Sequence, residues 1–188
     1  RFSLGRLFLV SPDTDEVMVV DPAAWTLEQS YAIGKGLQPI DVLLLDPHTA
    51  LVACRASSQL LRLNLINGAV TPGIDLSVYA DSDGVPEAEA LATLNGRLFV
   101  SMQRLDSKSG FPALPPAVGV IDFAKGIPVD ADAQSPGVQP IILQGTAPNG
   151  KMQVVPSIQR LFVKSTGVWM DFGGLEMVDL MSLQSQGL

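Results

Sequence analysis

One pattern recurs four times along this chain of 188 residues: a short apolar run, then a second that ends on Asp or Asn. The first copy reads Gly5-Arg6-Leu7-Phe8-Leu9-Val10-Ser11, then Val17-Met18-Val19-Val20-Asp21. The second pairs Ala50-Leu51-Val52-Ala53-Cys54 with Leu60-Leu61-Arg62-Leu63-Asn64. The third pairs Gly96-Arg97-Leu98-Phe99-Val100-Ser101 with Val118-Gly119-Val120-Ile121-Asp122. The fourth pairs Gln159-Arg160-Leu161-Phe162-Val163-Lys164-Ser165 with Leu175-Glu176-Met177-Val178-Asp179. Phe8, Val52, Phe99 and Phe162 are 44, 47 and 63 residues apart. Asp21, Asn64, Asp122 and Asp179 are 43, 58 and 57 apart. The longer spacings hold insertions at 106–117 and 130–139, both rich in Pro, Gly and Ser.

Short apolar runs bounded by turn residues read as buried strands. A period near 40–45 residues is that of a four-stranded β-propeller blade. Turn chemistry agrees. Residues 11–15 carry Pro and two Asp, 46–49 carry Asp-Pro, and Asn67-Gly68 is a strong hairpin signal. Helical periodicity is weak, with a turn or two expected at 23–31 and at 86–94. A β-sandwich of eight or more short strands is the alternative, and the near-45 repeat favours the propeller. The expected fold is therefore all-β, an arc of about four propeller blades in a single domain or fragment. The repeats fall at approximately 5–49, 50–95, 96–158 and 159–188. Propellers have four to eight blades and protect their strand edges by closing radially. An arc of this length is expected to be part of a larger propeller, with the missing blades on the same chain or on a partner. A start at Arg1-Phe2-Ser3-Leu4, with no Met and no signal-peptide core, reads as a mature product or a piece of something longer.

Composition narrows the function classes. The chain is 47% apolar and only 16% charged, which suits a core-forming protein rather than a disordered one. Its net charge of −7 argues against a nucleic-acid partner, which needs a basic face. The single Cys54 forms no internal disulfide, and the single His48 builds no multi-histidine metal site. A Ser-His-Asp or Cys-His site has only His48 to use, and Asp46-Pro47-His48-Thr49 reads as a turn. The longest uncharged stretch, 133–150, carries Gln, Pro and Gly throughout and is no membrane span. No glycine-rich phosphate loop and no zinc-type ligand spacing occurs, so no catalytic residues are assigned.

Four loops remain as candidates. In Asp81-Ser82-Asp83-Gly84-Val85-Pro86-Glu87, alternating carboxylates and a turn glycine suit calcium, with Asp81, Asp83 and Glu87 as ligands. The loop is not an EF-hand, because its twelfth position is Ala92. Its bland alternative is a pair of solvated Asx-turns. Arg104 opens the first insertion, either pairing with Asp81, Asp83 or Asp106 to order it or meeting a partner. Phe111 is the aromatic of that Pro-rich insertion, which either covers a sheet edge or docks on a partner. Trp169 and Phe172 cluster between glycines and are expected at an interface. Trp25 is expected to pack on a strand.

The segments Ile33-Gly34, Pro39-Ile40-Asp41-Val42, Asp46-Pro47 and Ala50-Leu51-Val52-Ala53 together resemble the YVTN-type β-propeller repeat. That repeat closes on a strand ending in Asp, matched by 17–21 and 118–122, and the resemblance covers most of 5–122. The loop 81–87, followed by Leu98-Phe99-Val100-Ser101-Met102-Gln103-Arg104-Leu105-Asp106, is similar to propeller-like lipoproteins and surface proteins of Gram-negative bacteria. This implies a location in the periplasm or at the cell surface. The expected function is a non-enzymatic scaffold or binding module that contacts protein partners in a larger assembly. Two alternatives stay open. One is a propeller enzyme, a metal-dependent hydrolase or lyase built on the acidic loop. The other is a calcium-stabilised adhesin module.

Overall fold

The computed structural model describes every residue except Ser107, Gly110, Phe111, 168–172 and Leu188. The described residues form seventeen strands in four antiparallel sheets. The first sheet holds β1 (Phe2–Ser3), β2 (Arg6–Ser11), β3 (Glu16–Asp21) and β4 (Thr26–Ala32). The second holds β5 (Pro39–Asp46), β6 (Thr49–Cys54), β7 (Gln59–Asn64) and β8 (Val70–Asp75). The third holds β9 (Ala88–Leu94), β10 (Arg97–Met102), β11 (Ala117–Asp122), β12 (Ile127–Val129) and β13 (Ile141–Ile142). The fourth holds β14 (Gln153–Val155), β15 (Arg160–Ser165), β16 (Gly174–Asp179) and β17 (Gln184–Ser185). Strand order follows chain order in every sheet, so each is an up-and-down blade. The third is extended: β12 pairs with the last three residues of β11 and β13 with its first two. The insertion at 130–139 thus leaves and rejoins one sheet edge.

The sequence pairs are the two middle strands of each sheet: β2–β3, β6–β7, β10–β11 and β15–β16. Each repeat in the sequence starts on the second strand of a sheet and runs into the first strand of the next. The helical turns expected at 23–31 and 86–94 are instead the strands β4 and β9. In β9, Ala88–Ala92 are buried on both faces, so no period marks the segment as strand or helix.

Both faces of a blade are apolar because alternate residues point to opposite neighbours. Phe8, Val17 and Val19 meet Ala50, Val52 and Leu63 between the first two sheets. Leu51 and Leu60 meet Leu98, Val100 and Ile121 between the second and third. Phe99, Val118 and Val120 meet Leu161, Val163 and Val178 between the third and fourth. A close approach sets one contact: a Cβ on Gly119 would stand 2.8 Å from the Tyr79 ring. That ring is buried, and its hydroxyl donates to the Val120 carbonyl (2.9 Å).

Buried carboxylates join the sheets where apolar packing leaves polar groups. Asp41 on β5, only 1% exposed, does most. Its Oδ2 accepts from the Leu91 amide of β9 (2.9 Å) and from Arg1 Nη2 (3.0 Å). Its Oδ1 accepts from the Val42 amide (2.7 Å) and from Lys151 Nζ. Arg1 Nη2 also donates to the Leu91 carbonyl (2.8 Å). One side chain therefore ties the innermost strands of the second and third sheets to the residues leading into the first and fourth. Removing one partner of a buried, hydrogen-bonded ion cluster costs about 3–5 kcal/mol. Asp41→Ala is expected to lower unfolding free energy by about 3 kcal/mol in a denaturant titration. Asp41→Asn should cost less, since an amide oxygen still accepts from Leu91.

Candidate functional site

Up-and-down blades divide the loops between two rims. Turns joining first to second and third to fourth strands leave on one rim. Turns joining second to third strands, and the links between sheets, leave on the other. The second rim therefore gathers the acidic loop 81–87, the insertion between β10 and β11, and the ends of β15 and β16 at Ser165 and Gly174. Of the sequence candidates, Asp81, Asp83, Glu87 and Arg104 lie on this rim. Phe111, Trp169 and Phe172, expected at a partner contact, lie outside the described residues.

In the acidic loop the carboxylates engage backbone. Asp81 Oδ1 accepts from the Asp83 amide (2.9 Å), and Asp83 Oδ1 from the Val85 amide (2.8 Å). These are Asx-turns. Glu87 turns away: its Oε2 accepts from the Leu105 amide at the base of the insertion (2.7 Å). Among the described residues no group of three or more His, Cys, Asp or Glu is placed to hold a metal ion. The carboxylates still feel one another. The Asp83 amide acts to lower the Asp81 pKa, but burial and the charges of Asp83 and Asp106 raise it above its ordinary value. Burial, with Asp83, Asp81 and Glu89 adding to it, pushes the Glu87 pKa up to about 7.

Arg104 is buried, with a left-handed backbone at φ +57°. Its Nη1 donates to the Pro115 carbonyl (3.1 Å), and its own carbonyl accepts from the Ala113 amide (2.9 Å). It therefore holds the two ends of the insertion together. Backbone groups do this ordering: the Pro115 carbonyl accepts from the Arg104 side chain and the Ala113 amide donates to its backbone. Burial lowers the Arg104 pKa, and the charge of Asp81 acts in the opposite direction.

The opposite rim carries the Asp or Asn that closes each sequence repeat, in a role the pattern alone did not show. Asp21, Asn64, Asp122 and Asp179 each end the third strand of a sheet, and their side chains accept from amides two or three residues ahead. These are Ala23 (2.8 Å), Ile66 (2.8 Å), Lys125 (3.1 Å) and Met181 (2.8 Å). Four residues after each Asp or Asn the chain adopts a left-handed conformation: Trp25 (φ 53°), Gly68 (74°), Gly126 (68°) and Leu183 (57°). Glycine meets that geometry without strain; tryptophan and leucine do not. The sequence did hold this signal, as an Asx-x-x-x-Gly spacing broken at Trp25 and Leu183. The same turns lift large apolar side chains into solvent: Trp25 is 77% exposed, Ile66 73% and Met181 76%. Trp25 does not pack on a strand, because its turn aims it outward. His48 is exposed on this rim, its amide donating to Asp46 Oδ1 (2.7 Å).

The sheets and their order match solved structures of low sequence identity. Hydrazine synthase of Kuenenia stuttgartiensis aligns over 97% of this chain and 45% of its own, with TM-score 0.67 and 15% identity. The WD40 β-propeller domain of Doa1 aligns over 88% of this chain and 45% of its own, with TM-score 0.58 and 11% identity. KlAtg21, solved in complex with a coiled coil of AgAtg16, aligns over 95% and 49%, with TM-score 0.52 and 15% identity. This chain is a four-bladed β-propeller arc. It spans just under half the length of the propellers it matches. No protein-family model and no curated protein matches the sequence.

The raised pKa of Glu87 sets a pH dependence. A carboxyl whose folded pKa lies above its unfolded value favours folding below that unfolded value, and the benefit is lost as pH rises through about 7. Glu87→Gln keeps an acceptor for Leu105 and removes the charge. Melting curves should show the variant more stable than the parent at pH 8, by about 1 kcal/mol once solvent screening of this half-exposed group is allowed for. Near pH 4.5 the two should melt together.

Proposed function

We propose that this chain is a non-enzymatic β-propeller scaffold that makes protein–protein contacts in an extracytoplasmic bacterial assembly. What carries this is Trp25, a large aromatic held in open solvent in a backbone conformation that costs it energy. Two of the three equivalent turns carry glycine there. Neither burial nor backbone preference accounts for a tryptophan at this position, and surface strain of this kind points to function. Ile66 and Met181, exposed on equivalent turns, add apolar surface to the same rim. Trp and its like dominate contact energy at protein interfaces. That Atg21 was solved with a coiled coil supports a protein partner for a propeller of this shape. The extracytoplasmic location rests on the resemblance of 81–87 and 98–106 to surface-protein loops.

A photo-crosslinking residue at Ile66 tests this in a Gram-negative host that exports the protein. The expected result is a discrete crosslinked protein that a crosslinker at Ser82, on the opposite rim, does not capture. Trp25→Gly should raise folding stability by about 1 kcal/mol, because it releases strain, while crosslinking falls several-fold. A loss of stability with unchanged crosslinking would make Trp25 structural and overturn the proposal.

A further inference from the structure

In a propeller blade the fourth strand lies outermost, so its free edge faces away from the neighbouring blades. Proline has no amide to donate, and it blunts such edges against stray pairing. The second sheet sets Pro72 of β8 opposite Leu61, the third residue of β7. The third sheet sets Pro128 of β12 opposite Ile121, the fifth residue of β11. On the first sheet the same two places are held by Ser30, opposite Met18, and by Leu27, opposite Val20. β4 thus offers an edge of seven residues without proline. One contact shows which of its backbone groups are turned outward. The Ile33 amide donates to the Asp15 carbonyl (2.8 Å) just beyond the strand. Bonded and non-bonded pairs alternate along an antiparallel ladder, so Tyr31 bonds to β3 while Ser30 and Ala32 aim amide and carbonyl away from it. The Ser30 carbonyl receives a long bond from the Gln29 side chain (3.4 Å). In the second sheet the Asn64 amide donates to the Ala69 carbonyl (2.9 Å), and the same alternation turns Pro72 outward. The second blade therefore blocks the position that the first leaves able to donate.

A cavity of about 360 Å³ lies beside this edge, lined by Gln29, Tyr31 and Ala32 of β4 and by Leu65, Ile66 and Gly68 of the β7–β8 turn. Tyr31 is buried, and its hydroxyl donates to the Leu65 carbonyl (2.6 Å), which fixes the two walls against each other. We infer that the β4 edge takes an extended segment of a partner protein as an added strand, with alternate apolar side chains of that segment entering the cavity beside Tyr31. This rests on the partner-binding reading of Trp25, which stands immediately before β4, and gives the form of the partner. Outward amides and carbonyls in a row are met by another extended backbone; a helix has already paired its own. Side chains of an added strand alternate between two faces, so every second one is directed to the cavity side. The net charge of −7 favours a segment that carries Lys or Arg.

The probe is a fluorescein-labelled peptide that alternates valine with threonine between terminal lysines. Fluorescence anisotropy follows its binding to the chain at protein concentrations up to about 1 mM. Saturable binding is the expected result. Ser30→Pro, which copies the second blade, should raise the dissociation constant about tenfold or more, because it removes an outward donor and leaves the bonds to β3 in place. Leu27→Pro, which copies the third blade, should weaken binding in the same direction. Circular dichroism should show both variants folded, since the substitutions fall on a free edge. The same peptide methylated at every amide keeps its side chains and should not bind the parent chain, a result that needs no variant to fold. Absence of binding by the unmethylated peptide overturns the inference. So does binding that survives both prolines, or binding of the methylated peptide. Crosslinking from Ile66 separates this from the reading it rests on. A partner still captured by the Ser30→Pro chain means that the rim binds protein without an added strand. Peptide binding at β4 with no partner captured means that the edge works as inferred and the partner-binding reading fails.

Discussion

A sheet apolar on both faces has no stable existence alone, and every other feature of this chain follows from that constraint. Each blade must be covered on two sides, so blades stack radially and the core divides into three layers between four sheets. Burying both faces also explains why the middle strands read as runs rather than as alternations. Leu98, Phe99 and Val100 are all buried, though they point to different neighbours.

Stacking leaves polar groups at the joints, and buried acids meet them. Asp41 gathers Arg1, Leu91 and Lys151. Glu89 on β9 pairs with Arg55 from the second sheet, Oε2 to Nη2 at 3.1 Å. Burial raises the Glu89 pKa and Arg55 opposes the rise. Glu176 on β16 accepts from the Gln144 and Gly145 amides (2.8 and 2.9 Å) in the chain entering the fourth sheet. Asp15 accepts from the Gly36 and Gln38 amides (2.6 and 2.8 Å), fixing the link from first to second sheet, and those bonds hold its pKa low. Packing between blades is non-directional, whereas these bonds have one geometry each. They set the register in which the blades meet.

The legible part of the sequence was the part that packing makes redundant. The eight middle strands stood out because burial on both faces demands apolar residues. The outer strands did not: β4 reads Thr26-Leu27-Glu28-Gln29-Ser30-Tyr31-Ala32 and is mostly exposed. Its backbone bonds come from β3, not from a pattern of its own. The terminal Asp or Asn of each repeat was visible as a recurrence, while its work of capping the next turn emerged only with the amides in place. At the acidic loop, alternating Asp residues matched both a cation loop and Asx-turns. Amide partners for Asp81 and Asp83 are set by backbone path, which spacing does not encode. Arg104 read either as an ion-pairing residue that orders the insertion or as a contact for a partner; the bond it makes across the insertion goes to a carbonyl, and carbonyls have no signature in a sequence.

The repeat by itself determined the strand class, the number of blades and the turns between them, because these depend on local patterning and on which residues tolerate burial. Only the tertiary structure decided which face of each blade meets which neighbour, which acids become buried joints, and which side chains are left in solvent. Those outcomes depend on how separate repeats stack. Trp25 and Trp169 look alike as letters between turn residues; it took the left-handed turn after Asp21 to place Trp25 outward.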